Sequence, residues 1–137
     1  MAFVIDCSTT MPWILKNDPT GYADQILSSF KESQAVVPEL WFLEVSNVLL
    51  VCERRGRLDA EESIRFTSLL QELPISIDEG TSYRVFSKII NVARDYELNL
   101  YDATYLELAM REALPLATLD VALRTAAQEA GVEVVGI

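Results

Sequence analysis

Residues 2–6 read Ala2-Phe3-Val4-Ile5-Asp6, an apolar run closed abruptly by an acid. A run that short, rich in aromatic and β-branched side chains, fits a strand buried on both faces. The pattern recurs along the chain. Ala35-Val36-Val37 is closed by Pro38, Ile75-Ser76-Ile77 follows Pro74, Leu116-Ala117-Thr118 follows Pro115, and Val132 to Val135 follows Gly131. Between these runs lie amphipathic stretches of helical period. A short helix is expected near Pro12-Trp13-Ile14-Leu15, and another after Asp18-Pro19-Thr20-Gly21 as far as Phe30. A longer helix runs from Leu40 to Arg55 and stops at Gly56, a residue suited to a left-handed helix end. Asp59 and Glu62 form a capping pair that opens the next helix, which ends before Pro74. Further helices are expected over Ser82–Tyr96, Asp102–Ala113 and Val121–Ala130.

Strands alternating with helices imply right-handed βαβ crossovers, and so an α/β fold with a parallel sheet covered on both faces. No linker, repeat or low-complexity segment interrupts the pattern, which reads as a single domain over residues 1–137. In such sheets, sites form at the carboxyl ends of the strands. The residues that directly follow strands are therefore the first candidates.

Composition narrows the chemistry. Half of the 137 residues are hydrophobic, with five Gly and five Pro, a globular balance with enough apolar surface for one core. No apolar run reaches the roughly 18–20 residues of a membrane span. The start lacks a basic region and meets an acid at Asp6, so it reads as a strand and not as a signal peptide. A cytoplasmic protein without a membrane segment is expected. Cys7 and Cys52 lack CxxC spacing and read as reduced thiols. The chain contains no histidine. That removes Ser-His-Asp and Cys-His catalysis, two-histidine ribonuclease chemistry and histidine-ligated zinc. The net charge of −10 runs against nucleic-acid binding. Carboxylates that hold divalent cations, however, do not act as bare negative charges. The basic residues are also uneven: Arg54, Arg55 and Arg57 lie close together and are candidates for phosphate contacts. A solvated helix end, with cations favourably near its C-terminus, is the ordinary alternative for them.

Four acids stand out by position. Asp6 follows the first strand directly and Asp120 follows the fourth almost directly, while Glu44 and Asp102 lie in the first turns of helices. Each has an ordinary explanation, as an N-cap or as an acid meeting the helix dipole. Helical phase argues for more. Glu44 shares its face with Trp41, Asn47, Val48 and Val51, and Asp102 shares its face with Tyr105, Leu106 and Ala109. Carboxylates on such stripes are partly buried and need partners. Clustered carboxylates raise one another's pKa, and a divalent cation resolves the repulsion. Oxygen-only donors suit Mg²⁺ or Mn²⁺ better than zinc or copper. Such ions can hydrolyse phosphodiesters without a protein nucleophile.

Four blocks then carry a family resemblance. Val4-Ile5-Asp6, Pro38-Glu39-Leu40 leading into Leu43-Glu44-Val45-Ser46-Asn47-Val48-Leu49, Leu100-Tyr101-Asp102-Ala103-Thr104-Tyr105-Leu106 and Leu114-Pro115-Leu116-Ala117-Thr118-Leu119-Asp120 occur in that order. Together they resemble the PIN-domain family, and within it the VapC toxins of bacterial toxin–antitoxin pairs. The resemblance implies a three-layer α/β/α fold with a five-stranded parallel sheet of order 3-2-1-4-5. It implies a Mg²⁺- or Mn²⁺-dependent endoribonuclease in which Asp6, Glu44, Asp102 and Asp120 are the catalytic, metal-holding acids. It places Ser8, Asn47 and Thr118 beside them in supporting positions. It implies RNA as substrate, a cognate antitoxin as partner and a homodimer. The aromatic residues Trp13, Trp41, Phe42, Tyr83 and Phe86 would serve such surfaces or the core. Asn99 stands where the family often has a small hydroxyl residue, and Cys7 where a small residue such as Ala is usual.

Other readings fit less well. A haloacid-dehalogenase-like phosphatase needs a second Asp two residues after the first, and Ser8 stands there. A receiver domain needs paired acids after the first strand and a Lys after the last, and neither is present. No GxGxxG follows the first strand, against a dinucleotide-binding fold. A catalytically silent PIN-like module that only binds RNA or protein is the remaining alternative. The intact acids argue against it.

Overall fold

Four short strands carry the fold: β1 (Ala2–Ile5), β2 (Gln34–Pro38), β3 (Ile75–Asp78) and β4 (Leu116–Ala117). In the computed structural model, which describes residues 1–136, they form one parallel sheet in the order β3-β2-β1-β4. β1 lies in the interior of the sheet. Phe3, Val4 and Ile5 are at most 1% exposed, as a strand covered on both faces requires. The chain adds β2 and then β3 to one side of β1 and crosses over to add β4 on the other. The order therefore reverses between β1 and β4, which makes their carboxyl ends the topological switch point of the sheet.

The fifth strand expected at Val132–Val135 does not form among the described residues. That segment makes one isolated parallel bridge, Leu116 to Val134. The Leu116 amide donates to Glu133 O at 2.8 Å, and the Val135 amide donates to Leu116 O at 3.0 Å. The reason is local. β4 offers only two extended residues to pair with, and Gly136, at φ +73°, bends the chain away directly after Val135. The α/β class and the first four positions of the order stand, and the sheet is four-stranded.

Helices join the strands. α1 (Cys7–Thr10), α2 (Pro12–Leu15) and α3 (Tyr22–Ser29) follow β1, and α4 (Leu40–Arg54) follows β2. α4 ends at Gly56, whose φ of +71° is the left-handed turn expected there. α5 (Ala60–Glu72) opens with the expected capping box. The Glu62 amide donates to Asp59 Oδ1 at 2.8 Å, and the Asp59 amide donates to Glu62 Oε1 at 3.1 Å. The helix expected over Ser82–Tyr96 is not regular. It begins as a π-helical turn at Val85–Ile89 and becomes α6 (Ile90–Tyr96). The Ile89 amide donates to Arg84 O at 2.9 Å, while the Arg84 guanidinium turns back to Gly80 O at 2.8 Å. α7 (Leu100–Glu112) starts two residues earlier than expected because Asn99 caps it. α8 (Val121–Glu129) follows β4.

α7 is the most buried helix. Ala103, Tyr105, Leu106, Leu108 and Ala109 all pack into the core. Arg111 near its end binds Asp78 at 3.0 Å and Glu107 at 3.0 Å, which ties α7 to the end of β3. Trp13 and Trp41 belong to the core, whereas Tyr83 and Phe86 are exposed and Phe42 is partly so. Cys7 and Cys52 are free thiols. No helix among the described residues is long and apolar enough to cross a membrane.

Candidate functional site

The register of the sheet builds the first half of the site. Val4 pairs with Leu116 and Ile5 with Ala117, so the next residues in line, Asp6 and Thr118, leave the sheet side by side. The Thr118 hydroxyl donates to Asp6 Oδ2 at 2.6 Å. Ser8 donates to the same carboxylate at 2.8 Å, and the Thr9 amide donates to Asp6 Oδ1 at 3.2 Å as Asp6 caps α1. Ser8 Oγ also accepts from the Leu119 amide at 3.0 Å, which joins the loops after β1 and β4. Below the carboxylate, Trp41 Nε1 donates to the Thr10 hydroxyl, which donates to the Asp6 carbonyl. Asp6 is 3% exposed. Burial raises its pKa to about 6, although the donors from Thr118, Ser8 and Thr9 pull the other way, and the charge of Asp102 adds to the rise.

Helices bring the other acids. Asp102 sits in the first turn of α7, where its amide donates to Asn99 Oδ1 at 2.8 Å. Its pKa also rises to about 6, first through burial and then through the charges of Asp120 and Glu44. Glu44, half-buried on α4, is pushed upward by burial and held back by Tyr105, whose hydroxyl donates to Glu44 Oε1 at 2.6 Å. Asp120 caps α8 by accepting from the Leu123 amide at 2.9 Å, and its own amide donates to Thr118 Oγ1 at 3.0 Å. Its capping role and its place beside the other acids are thus both real.

The charges link the acids into one group: Asp102 feels Asp120 and Glu44, and Asp6 feels Asp102. The Cys7 thiol lies beside this group. Burial, Glu44 and Asp6 push it up to about 12, so at neutral pH it is an inert thiol. No three acidic or cysteine side chains among the described residues close around one point at metal-ligand distance. The acids form an open set within electrostatic reach of one another. An open, all-oxygen set fits Mg²⁺ or Mn²⁺, because Mg²⁺ keeps several of its waters and uses few carboxylates.

Ser8 and Thr118 both donate to Asp6. Asn47 is exposed on α4, and among the described residues its side chain makes no hydrogen bond. Arg54, Arg55 and Arg57 are exposed at the far end of α4. Ten residues of helix put Arg54 about 15 Å along the axis from Glu44. Sequence reading missed two supporting residues. Tyr105 is one, and the rule that a buried tyrosine hydroxyl needs a partner points to it. Arg124 is the other. Its Nε donates to Thr118 O at 2.6 Å, and its guanidinium lies 4.7 Å from the centre of the Tyr22 ring. It stands one turn beyond Asp120 on α8, a position that carries no signal by itself.

With this geometry in place, comparison with known proteins is informative. Residues 3–129 match the PIN domain. The chain belongs to the PIN domain family. No curated protein sequence matches it. Among solved structures, this PIN domain is similar to PAE2754 from Pyrobaculum aerophilum, with TM-score 0.67 and 22% identity over 92% of this chain and 79% of that one. It is similar to a chain of VapBC2 from Rickettsia felis bound to a DNA fragment from their promoter, with TM-score 0.68 and 11% identity over 98% and 97% of the two chains. A chain of a toxin–antitoxin complex from Klebsiella pneumoniae gives TM-score 0.60 and 19% identity over 86% of each. At these identities the likenesses speak for the PIN fold.

Proposed function

We propose that this PIN domain is a Mg²⁺- or Mn²⁺-dependent endoribonuclease and the toxin of a toxin–antitoxin pair. One observation carries the reading. Four carboxylates from four separate elements lie within electrostatic reach of one another, and burial first, then neighbouring charge, raises the pKa of two of them to about 6. Such a group is electrostatically strained without a cation, and the chain has no histidine with which to do the work otherwise.

Asp6, Glu44 and Asp102 are the residues that would hold the cation, with Asp120 completing the set. When bound, Mg²⁺ or Mn²⁺ supplies the Lewis acidity that activates water and stabilises the leaving oxygen of a phosphodiester. The protein's part is placement. Ser8 and Thr118 fix both oxygens of Asp6, Asn99 fixes the start of α7 and therefore Asp102, and Tyr105 holds Glu44. Arg54, Arg55 and Arg57 are exposed cations that can meet RNA phosphates away from the site.

A cognate antitoxin fits as partner, since one similar structure is a toxin–antitoxin complex. A groove of about 340 Å³ lined by Trp41, Phe42, Leu70 and Ile75 offers it an apolar seat between α4 and α5. Exposed Tyr83 and Phe86 offer apolar surface for a homodimer. The free cysteines agree with a cytoplasmic protein.

The test is incubation of the purified chain with end-labelled RNA in Mn²⁺ or Mg²⁺ and, separately, in EDTA. Internal cleavage that requires the cation supports the reading. Cleavage that persists in EDTA refutes the mechanism. RNA binding without cleavage at any metal concentration would leave a silent binding module.

A further inference from the structure

Glu44 is held differently from the other three acids. Asp102 and Asp120 bond to residues of their own helix start, and Asp6 bonds to its own loop and to Thr118 after β4. Glu44 lies inside α4, where the backbone has no spare donor to offer. The side-chain hydrogen bond it makes comes from another helix: Tyr105 of α7, 1% exposed, donates to Oε1 at 2.6 Å. Tyr105 stands three residues after Asp102, so α7 presents an acid and a hydroxyl on one face.

A short O–H···O⁻ bond of this kind is charge-assisted and strong. Among the described residues it leaves Oε2 as the unengaged oxygen of Glu44. A cation bound through both oxygens has to share Oε1 with this hydroxyl: the oxygen keeps a second lone pair, but the dication draws charge from it and weakens a bond that a buried hydroxyl needs. Carboxylate mode is also what separates the candidate cations. Ca²⁺ takes six to eight oxygens at about 2.3–2.6 Å and often uses both oxygens of one carboxylate, whereas Mg²⁺ demands compact octahedral coordination.

We propose that Tyr105 is a positioning residue that biases Glu44 toward coordination through Oε2 alone and so favours small six-coordinate cations, Mg²⁺ and Mn²⁺, over Ca²⁺. This inference rests on the metal-binding reading above and adds the selectivity of that site.

The experiment is Mn²⁺ binding to the full chain, followed by electron paramagnetic resonance and competed with Mg²⁺ and with Ca²⁺, for wild type and Tyr105→Phe. The variant is expected to gain affinity for Ca²⁺ relative to Mg²⁺ by roughly tenfold, the scale of one charge-assisted hydrogen bond. A purely structural role would weaken all three ions alike, and an unchanged ratio overturns the assignment while leaving the nuclease reading intact. Wild-type protein that binds no Mn²⁺ overturns both. If Tyr105→Phe does not fold, the wild type answers by nuclear magnetic resonance. The shielded Tyr105 hydroxyl proton should persist at saturating Mg²⁺, and its loss while the amide spectrum stays folded overturns the proposal.

Discussion

Replacing Asp6 with Asn should reverse the order of stability between wild type and variant as the pH changes. Asp6 is 3% exposed, and burial lifts its pKa from an ordinary 3.8 to about 6. As the pH rises, the unfolded chain gives up this proton before the folded one does. The stabilising contribution is therefore complete below 3.8 and is lost as the pH climbs through 6. At about 1.36 kcal/mol per pKa unit, the loss is roughly 3 kcal/mol. Asn has no charge to bury and escapes this term. Its amide nitrogen cannot accept, however, so one of the donors from Ser8, Thr9 or Thr118 loses its partner at every pH, at a cost of roughly 1–2 kcal/mol. Asp6→Asn should be the less stable protein at about pH 4 and the more stable one, by about 1–2 kcal/mol, at about pH 7.5. Urea denaturation of both proteins across this range in cation-free buffer measures it. On the proposed metal site, added Mg²⁺ should then restore the advantage of the wild type, because an ion held only by the folded carboxylates would stabilise the folded state. A stability difference that stays constant within about 0.5 kcal/mol from acid to neutral pH would refute the argument, since a shifted pKa must appear as a pH dependence.

Three further outcomes follow from the same contacts. Thr118→Val removes the donor to Asp6 and the acceptor for the Asp120 amide in an almost isosteric change; urea denaturation should show a loss of roughly 2 kcal/mol, and an unchanged midpoint would mean the hydroxyl does not hold the site. Arg124→Ala breaks the 2.6 Å bond to Thr118 O and the stacking on Tyr22. It should cost about 1–3 kcal/mol in the same assay, and a neutral result would count against the clamp. Cys7, with its thiol pushed up to about 12, should resist iodoacetamide in the folded protein near neutral pH and react readily in urea. Rapid labelling of the native protein, followed by mass spectrometry, would contradict the burial of that thiol beside the acids.

Much of the fold was readable because single residues decided it. Gly56 stopped α4, Asp59 and Glu62 boxed the start of α5, and the apolar run Phe3-Val4-Ile5 required cover on both faces. The fifth strand was not readable in the same way. Val132 to Val135 has the composition of a strand, but pairing needs a partner edge, and β4 provides only two residues. The irregular start of α6 depends on Arg84 reaching back to Gly80, a contact without a sequence signature. At the site, the acids were legible because helical phase placed Glu44 and Asp102 on apolar faces. Asn47 shares the phase of Glu44, is exposed, and makes no side-chain hydrogen bond among the described residues. Tyr105 and Arg124 act across helices and loops, and only tertiary structure brings such partners together.

The central claim is that the gathered carboxylates perform metal-dependent cleavage of RNA. The most direct measurement compares RNA cleavage by wild type and Asp102→Asn in Mn²⁺, with circular dichroism to establish that both are folded. Asp102 is only partly buried in a capped first turn, so an amide there is expected to be tolerated by the fold. The wild type is expected to cleave RNA only with the cation, and the folded variant is expected to lose that cleavage. Undiminished cleavage by folded Asp102→Asn would contradict it.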